Sequence, residues 1–343
     1  MDSARQQGVT LDDVGERAGV SGKTVSRVVN GDPHVSRATR ERVEEAIRAT
    51  GYRMNMAARS LAASRSYLVG IFVPAYTSLY HAELYQGAAA ACAEHGYHLL
   101  LEQYDEADPG SAIERYRSSL RNARCDGIIL APPLSNHAAL LDALDADAAR
   151  YVRIAAQDGS ARAPAILADE EAGIHELVDY LWSLGHRRFG ICSGPEARPF
   201  ARSRNAAFIA AVQKWGGKRS DVLCASFSWE GSALLSGRKA GEILLGGSTR
   251  PDAIFAFNDE LAHGVMTLAR DMGLRVPHDL SIVGFDDGPA AQFAWPALTT
   301  IRQPIARMGA AAVEILTGKT QGPLITCAVE LVVRDSCMSA VRT

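Results

Sequence analysis

The chain has 343 residues, 47% hydrophobic and 22% charged, the balance of an ordinary globular protein of two or three domains. No apolar run reaches membrane-spanning length and the opening MDSARQQG lacks the apolar segment of a secretory leader, so a cytoplasmic protein is expected. The net charge of −3 hides an asymmetry: residues 1–65 carry eleven Lys+Arg against eight Asp+Glu (net +3), the remainder 25 against 31 (net −6). A basic head on an acidic body has the sign expected of a nucleic-acid-binding end. Cys92, Cys125, Cys192, Cys224, Cys327 and Cys337 form no CxxC pair and fall mostly in apolar stretches, which fits reduced, buried thiols rather than disulfides or metal ligands.

The first stretch, Val9–Asn30, reads as two short helices joined by a tight turn. Thr10 can cap the first, with Asp13 in its first turn, and Gly19 supplies the turn. Ser21 can cap the second, whose Val25, Val28 and Val29 face inward, leaving Gly22, Lys23, Ser26, Arg27 and Asn30 outward. Such a face suits a DNA major groove; the same periodicity would also serve a plain helical hairpin with a solvated face. Gly31-Asp32-Pro33 is a turn, and Ser36 can cap a third helix, Arg37–Thr50, ended by Gly51. The alanine-rich run Met54–Ala63 is too short to be a stable isolated helix and reads as a linker.

From Tyr67 the chain alternates apolar strand runs (67–74, 97–103, 126–132) with helical stretches (82–95, 111–123). A second series follows, with helices 171–184, 202–215, 233–245 and 259–272 and strands 187–194, 222–227, 252–258 and 279–287. That alternation predicts parallel βαβ units in two α/β lobes. Polar residues placed just beyond strand ends, where open α/β sheets bind ligands, are Asn258 and Asp286, with Arg204 in the helix after a strand. Asp286 and Arg204 could instead serve structural ion pairs, and Trp229 could be core packing. His95 and His98 share an HxxH spacing, but a helix-to-strand connection at Gly96 explains it better than a metal site. No GxSxG, HExxH or GxxxxGK[ST] motif is present, and no catalytic constellation, metal site or cofactor is expected.

The segment VTLDDVGERAGVSGKTVSRVVNGDPHVSRATRERVEEAIRATGY resembles the headpiece of the LacI/GalR family of bacterial transcriptional regulators, above all in Val20-Ser21, Thr24–Asn30, Val35-Ser36 and Thr39-Arg40. Leu184–Arg188, Arg204–Phe208, Asn258-Asp259, Gly273–Pro277, Val283–Asp287 and Leu298–Pro304 extend the resemblance over essentially the whole chain, with Ala207 where the family has glycine. The resemblance implies an all-α helix-turn-helix headpiece (1–52), a hinge helix (53–65) and a two-lobed α/β body (66–343) of the type I periplasmic-binding-protein fold with parallel sheets. Three crossings would divide the body into a first lobe of 66–168 and 298–325 and a second of 169–297 and 326–343.

It also implies function: a homodimeric regulator, by family habit a repressor, that binds a pseudo-palindromic operator and responds to a small effector held between the lobes. DNA contacts would come from Thr10, Ser21, Gly22, Lys23, Ser26, Arg27, Asn30, His34, Ser36, Thr39, Tyr52, Asn55, Arg59 and Leu61, the last as a minor-groove wedge. Met54 stands where the family usually has proline. Effector contacts would come from Tyr80 and His81 of the first lobe and Arg204, Asn258 and Asp286 of the second, with Phe227 or Trp229 as an aromatic lid. A carbohydrate is the expected effector; the cluster Arg198, Arg202 and Arg204 leaves an anionic metabolite or a purine as the alternative. A sugar-binding transport protein shares the fold but not the headpiece.

Overall fold

A computed structural model describes residues 9–29, 32–52, 60, 63, 65–75, 78–105, 108, 110–194, 199–226 and 232–340. Asn30, Met54, Asn55, Arg59, Leu61, Arg198, Phe227 and Trp229 lie outside them. The chain separates into two compact units, Met1–Ser66 and Tyr67–Thr343.

In the first unit, α1 (Leu11–Ala18), α2 (Gly22–Val29) and α3 (Arg37–Thr50) enclose a core of Val14, Ala18, Val25, Val28, Val43 and Ala46. Local signals set their ends. The Thr10 hydroxyl accepts from Asp13 N at 3.3 Å while the Asp13 carboxylate accepts from Thr10 N at 2.7 Å, a reciprocal cap. Ser21 and Ser36 each accept from the backbone N–H three residues on. Gly19 and Gly51 close α1 and α3 with left-handed φ of 65° and 66°.

The second unit runs β1 (Leu68–Pro74), α4 (Leu79–Glu94), β2 (His98–Tyr104), α5 (Ser111–Arg115), β3 (Gly127–Leu130), α6 (Ala138–Ala146), β4 (Tyr151–Ile154) and β5 (Ala165–Ala168). It continues through α7 (Glu170–Ser183), β6 (Phe189–Cys192), α8 (Pro199–Lys214), β7 (Val222–Ala225), α9 (Ala233–Leu245), β8 (Ala253–Ala256), α10 (Asp259–Asp271), β9 (Ser281–Val283) and α11 (Pro289–Phe293). It closes with β10 (Thr300–Arg302), α12 (Ile305–Thr317), β11 (Leu324–Cys327) and β12 (Glu330–Val332). One sheet has the order β11-β5-β4-β3-β1-β2, the other β7-β6-β8-β9, both parallel throughout. Helices cover both faces, the doubly wound arrangement the alternation predicts. The helix expected over 111–123 is α only to Arg115; Tyr116–Leu120 widens into a π turn.

The chain passes between the sheets three times, after β5, after β10 and between β11 and β12. The return expected from 298 starts later, because β10 pairs antiparallel with β12 while Thr299 and Arg302 bridge to Val283 and Asp286 beside β9. The boundary expected at 326 falls inside a strand: β11 extends the first sheet beside β5, and only β12 joins β10. Within the first lobe α4 and α12 cross at two glycines, since a Cβ on Gly87 would collide with the Ala306 carbonyl and one on Gly309 with the Leu84 carbonyl.

The second crossing is anchored by Asp259, buried at the start of α10, which accepts from Gly288 N at 2.7 Å and from the Thr300 hydroxyl at 2.6 Å. Gly284 makes room for it, a Cβ there being blocked by the Asp259 carboxylate. Burial pushes the Asp259 carboxyl up to about 7, opposed by those two hydrogen bonds and reinforced by Asp287.

Two outcomes are expected. Gly87→Val should lower stability by ~1–3 kcal/mol through overpacking, read as a shifted urea midpoint. Because the folded state binds the Asp259 proton more tightly than the unfolded chain, its contribution is complete below about pH 4 and is lost as pH rises through about 7. Asp259→Asn, which keeps both hydrogen-bond partners, should remove up to ~1.4 kcal/mol per pH unit of that decline when unfolding is compared between pH 5 and 8.

Candidate effector cleft and DNA-facing helix

Each parallel sheet reverses its winding between two neighbouring strands, and there a crevice opens at their carboxyl ends. In the first sheet the reversal lies between β1 and β3. His81, in the first turn of α4, spans it: its Nε2–H donates to the Pro132 carbonyl at 3.1 Å, leaving Nδ1 to accept from the Ser78 hydroxyl at 2.9 Å. Both ring nitrogens therefore have partners in the first lobe. Tyr80 beside it packs edge-on against the His81 ring at 5.5 Å.

In the second sheet the reversal lies between β6 and β8, and Arg204 of α8 spans it. Its Nη1 donates to the Phe257 carbonyl, just past β8, at 2.6 Å. Its Nε and Nη2 grip both oxygens of Glu170 at 2.9 and 2.7 Å, and its guanidinium lies 3.8 Å from the centre of the Phe285 ring. Arg204 is only 8% exposed. Burial works against its charge, and Glu170 more than offsets this, holding the guanidinium above its ordinary pKa. The ion-pair reading of Arg204 thus holds, and three of its five N–H groups are used.

Asp286 and Asp287 follow β9 with φ of 105° and 58°, strained for residues with a Cβ. The turn aims Asp286 at Gln303, whose amide donates to it at 2.7 Å, and Asp287 at Arg302 and Arg334 at 2.7 and 2.6 Å. Burial raises the Asp286 carboxyl well above the usual carboxylate range, with Arg204 opposing and Asp259 adding to the rise. Burial also raises the Tyr80 hydroxyl, and the charges of Asp286, Glu170 and Arg204 act on it. Tyr80 of the first lobe thus lies within electrostatic reach of Arg204 and Asp286 of the second. Asn258 caps α10, its Oδ1 accepting from Leu261 N at 2.8 Å.

Sequence reasoning missed Glu170 and Gln303. The acidic run Asp169-Glu170-Glu171 after an apolar strand was the available signal for the first; nothing local marks the second. It also missed Arg153, fully buried at the end of β4, where Ser135 O, the Ser160 hydroxyl and Asp158 satisfy it at 2.7, 2.7 and 2.6 Å. Among the described residues no group of three or more His, Cys, Asp or Glu could hold a metal, and no helix is long and apolar enough to cross a membrane.

On the headpiece, Lys23 and Arg27 are exposed one turn apart on α2, and Ser26 is half-buried beside them. Gly22 is not simply outward: a Cβ there would collide with the Asp12 carboxylate, so its bareness serves the packing of α2 on α1. Thr10, Ser21, Ser36 and Thr39 are tied into helix caps, His34 is exposed, and Tyr52 packs on the core.

Two family profiles match the chain, "Bacterial regulatory proteins, lacI family" over residues 10–55 and "Periplasmic binding protein-like domain" over 178–337. Catabolite control protein A of Priestia megaterium is 32% identical over 90% of this chain and 92% of its own. The transcriptional repressor PurR of Vibrio cholerae is 31% identical over 90% of each. Among solved structures, the Lac repressor dimer bound to operator and an anti-inducer superposes with a TM-score of 0.76 at 28% identity, covering 97% of this chain and all of that one. Headpiece, two-lobed parallel body and full-length relatives agree, and the chain belongs to the LacI family of bacterial transcriptional regulators.

Proposed function

We propose that this regulator works as a homodimeric repressor whose operator affinity is set by an uncharged, polyhydroxylated ligand, a sugar, held between the lobes by Tyr80, Arg204, Asn258 and Asp286. The observation that carries this reading is the Glu170–Arg204 pair. A guanidinium that already holds its counter-charge offers a ligand two hydrogen-bond donors but little net attraction for an anion. Asp286 and the Asn258 amide complete a set of directional acceptors and donors that suits vicinal hydroxyls. Support comes from relatives described as a CelR–cellobiose complex, with a TM-score of 0.70, and from the Lac repressor dimer on operator DNA.

The coupling route follows from the same contacts. Glu170 opens α7 immediately after the first crossing, and Gln303 lies at the second. A ligand that competes for Arg204 or Asp286 acts on the segments joining the lobes, changes their angle, and with it the spacing of the two hinge segments in the dimer. Such coupling between sites is typically worth ~1–3 kcal/mol. The protein needs no catalytic step of its own, and it acts on DNA in the cytoplasm. A purine is the second reading, favoured by Phe200, Phe257 and Phe285 around Arg204 at 5.8, 5.7 and 3.8 Å from ring centre to guanidinium.

The test is a thermal-shift screen with matched sugars, sugar acids and purines. A binder at a hundredfold excess over Kd should stabilise the protein by ~2.7 kcal/mol, lost in Asp286→Ala. Glu170→Gln should free the guanidinium and improve the acid form over its neutral sugar by roughly tenfold. A wild-type preference for the acid form would reject the uncharged ligand, and purine hits alone would select the second reading.

A further inference from the structure

Arg27 does not extend freely from α2. Its Nε donates to Asp32 Oδ2 at 2.8 Å, with the two side chains 46% and 27% exposed. Asp32 is itself fixed on every side. Its other oxygen accepts from His34 N at 2.9 Å, its N–H donates to the Arg27 carbonyl at 2.9 Å, and its carbonyl accepts from Arg40 Nη2 at 2.8 Å. The carboxylate that holds Arg27 thus belongs to a residue tied by three further hydrogen bonds ahead of α3.

Ion pairs this exposed add little to folding stability, so stability does not explain the arrangement. Its effect on the arginine does. A long side chain loses much rotamer freedom when it docks, and here part of that freedom is removed before DNA arrives. With Nε occupied, the free edge is Nη1 and Nη2, a parallel pair of donors that matches O6 and N7 of guanine. The same carboxylate carries a negative charge on a face that meets phosphates, where it subtracts from sequence-independent attraction.

We propose that Asp32 is a positioning residue for base readout: it holds Arg27 in the geometry that reads guanine, and it weakens binding to DNA of any sequence. The proposal rests on α2 being the helix that enters the major groove. Hydrogen bonding from Arg27, with that from His34 N, keeps the Asp32 carboxyl below its ordinary range, so the carboxylate is charged at working pH.

The experiment uses the full-length protein, as wild type, Asp32→Asn, Asp32→Ala and Arg27→Ala. Each selects sites from duplexes with a randomised centre, and each is titrated with a random-sequence duplex over a salt series. Asparagine can still accept from His34 N and keep the turn, but it carries no charge to hold the guanidinium. The expected wild-type motif has a guanine in each half-site that Arg27→Ala erases. Asp32→Asn should reduce preference for that guanine about tenfold and leave the other positions intact, while random-duplex affinity rises several-fold and its salt dependence steepens by about one ion per subunit. Asp32→Ala should do the same wherever circular dichroism shows an intact headpiece.

Two results overturn the proposal. An unchanged motif in Asp32→Asn makes the pair passive; uniform loss at all positions together with weaker random-duplex binding makes Asp32 only a part of the turn. A wild-type motif that survives Arg27→Ala unaltered removes the reading of α2 on which the proposal rests, and is told apart because it fails before any Asp32 variant is compared.

Discussion

A guanidinium buried in the second lobe must have its charge answered, or it costs the fold several kcal/mol. Arg204 meets this demand with Glu170 on both oxygens, the Phe257 carbonyl, and the face of Phe285. Those partners come from the first crossing, from the loop after β8 and from the end of β9, so satisfying one side chain fixes three pieces of the second lobe relative to each other. The polarity of this end of the second lobe follows from that requirement.

The two lobes meet the same topological problem with the same kind of answer. In each, a residue on the helix that follows one strand of the reversal reaches across to a backbone carbonyl beyond the neighbouring strand: His81 to Pro132, Arg204 to Phe257. Backbone carbonyls at strand ends have no ladder partner and need a donor. The first lobe supplies an imidazole whose two nitrogens are both held within that lobe; the second supplies a cation with donors to spare.

The headpiece follows a different economy of parts. Among the described residues six buried side chains make a small core, and caps at Thr10, Ser21 and Ser36 with left-handed glycines at 19 and 51 carry much of the specification of its helices. With the interior so small, little is left to fix the outer face, and Asp32 does that work at Arg27 by an exposed contact.

The sequence by itself determined what local rules control. The third helix was legible as Arg37–Thr50 because serine, glycine and an apolar period of 3.6 act within a few residues, and the strand-helix alternation was legible because each run buries its own face. It also placed Arg204, Asn258 and Asp286 beyond strand ends. Only the tertiary structure decided what those residues do. β4 escaped notice because Arg153 interrupts its apolar run, yet that arginine is buried with partners from the segment that follows β4 and from Ser135 after β3. Glu170 and Arg204 are 34 positions apart and Asp286 and Gln303 are 17 apart; no local signal pairs them. Gly22 looked like a bare spot on a DNA-facing helix until packing showed it to be where Asp12 fits. Local propensity and periodicity are read within one turn or one strand, whereas compensation of a buried charge depends on which distant segments the fold brings within 3 Å, and that is settled only when those segments pack together in the folded lobe.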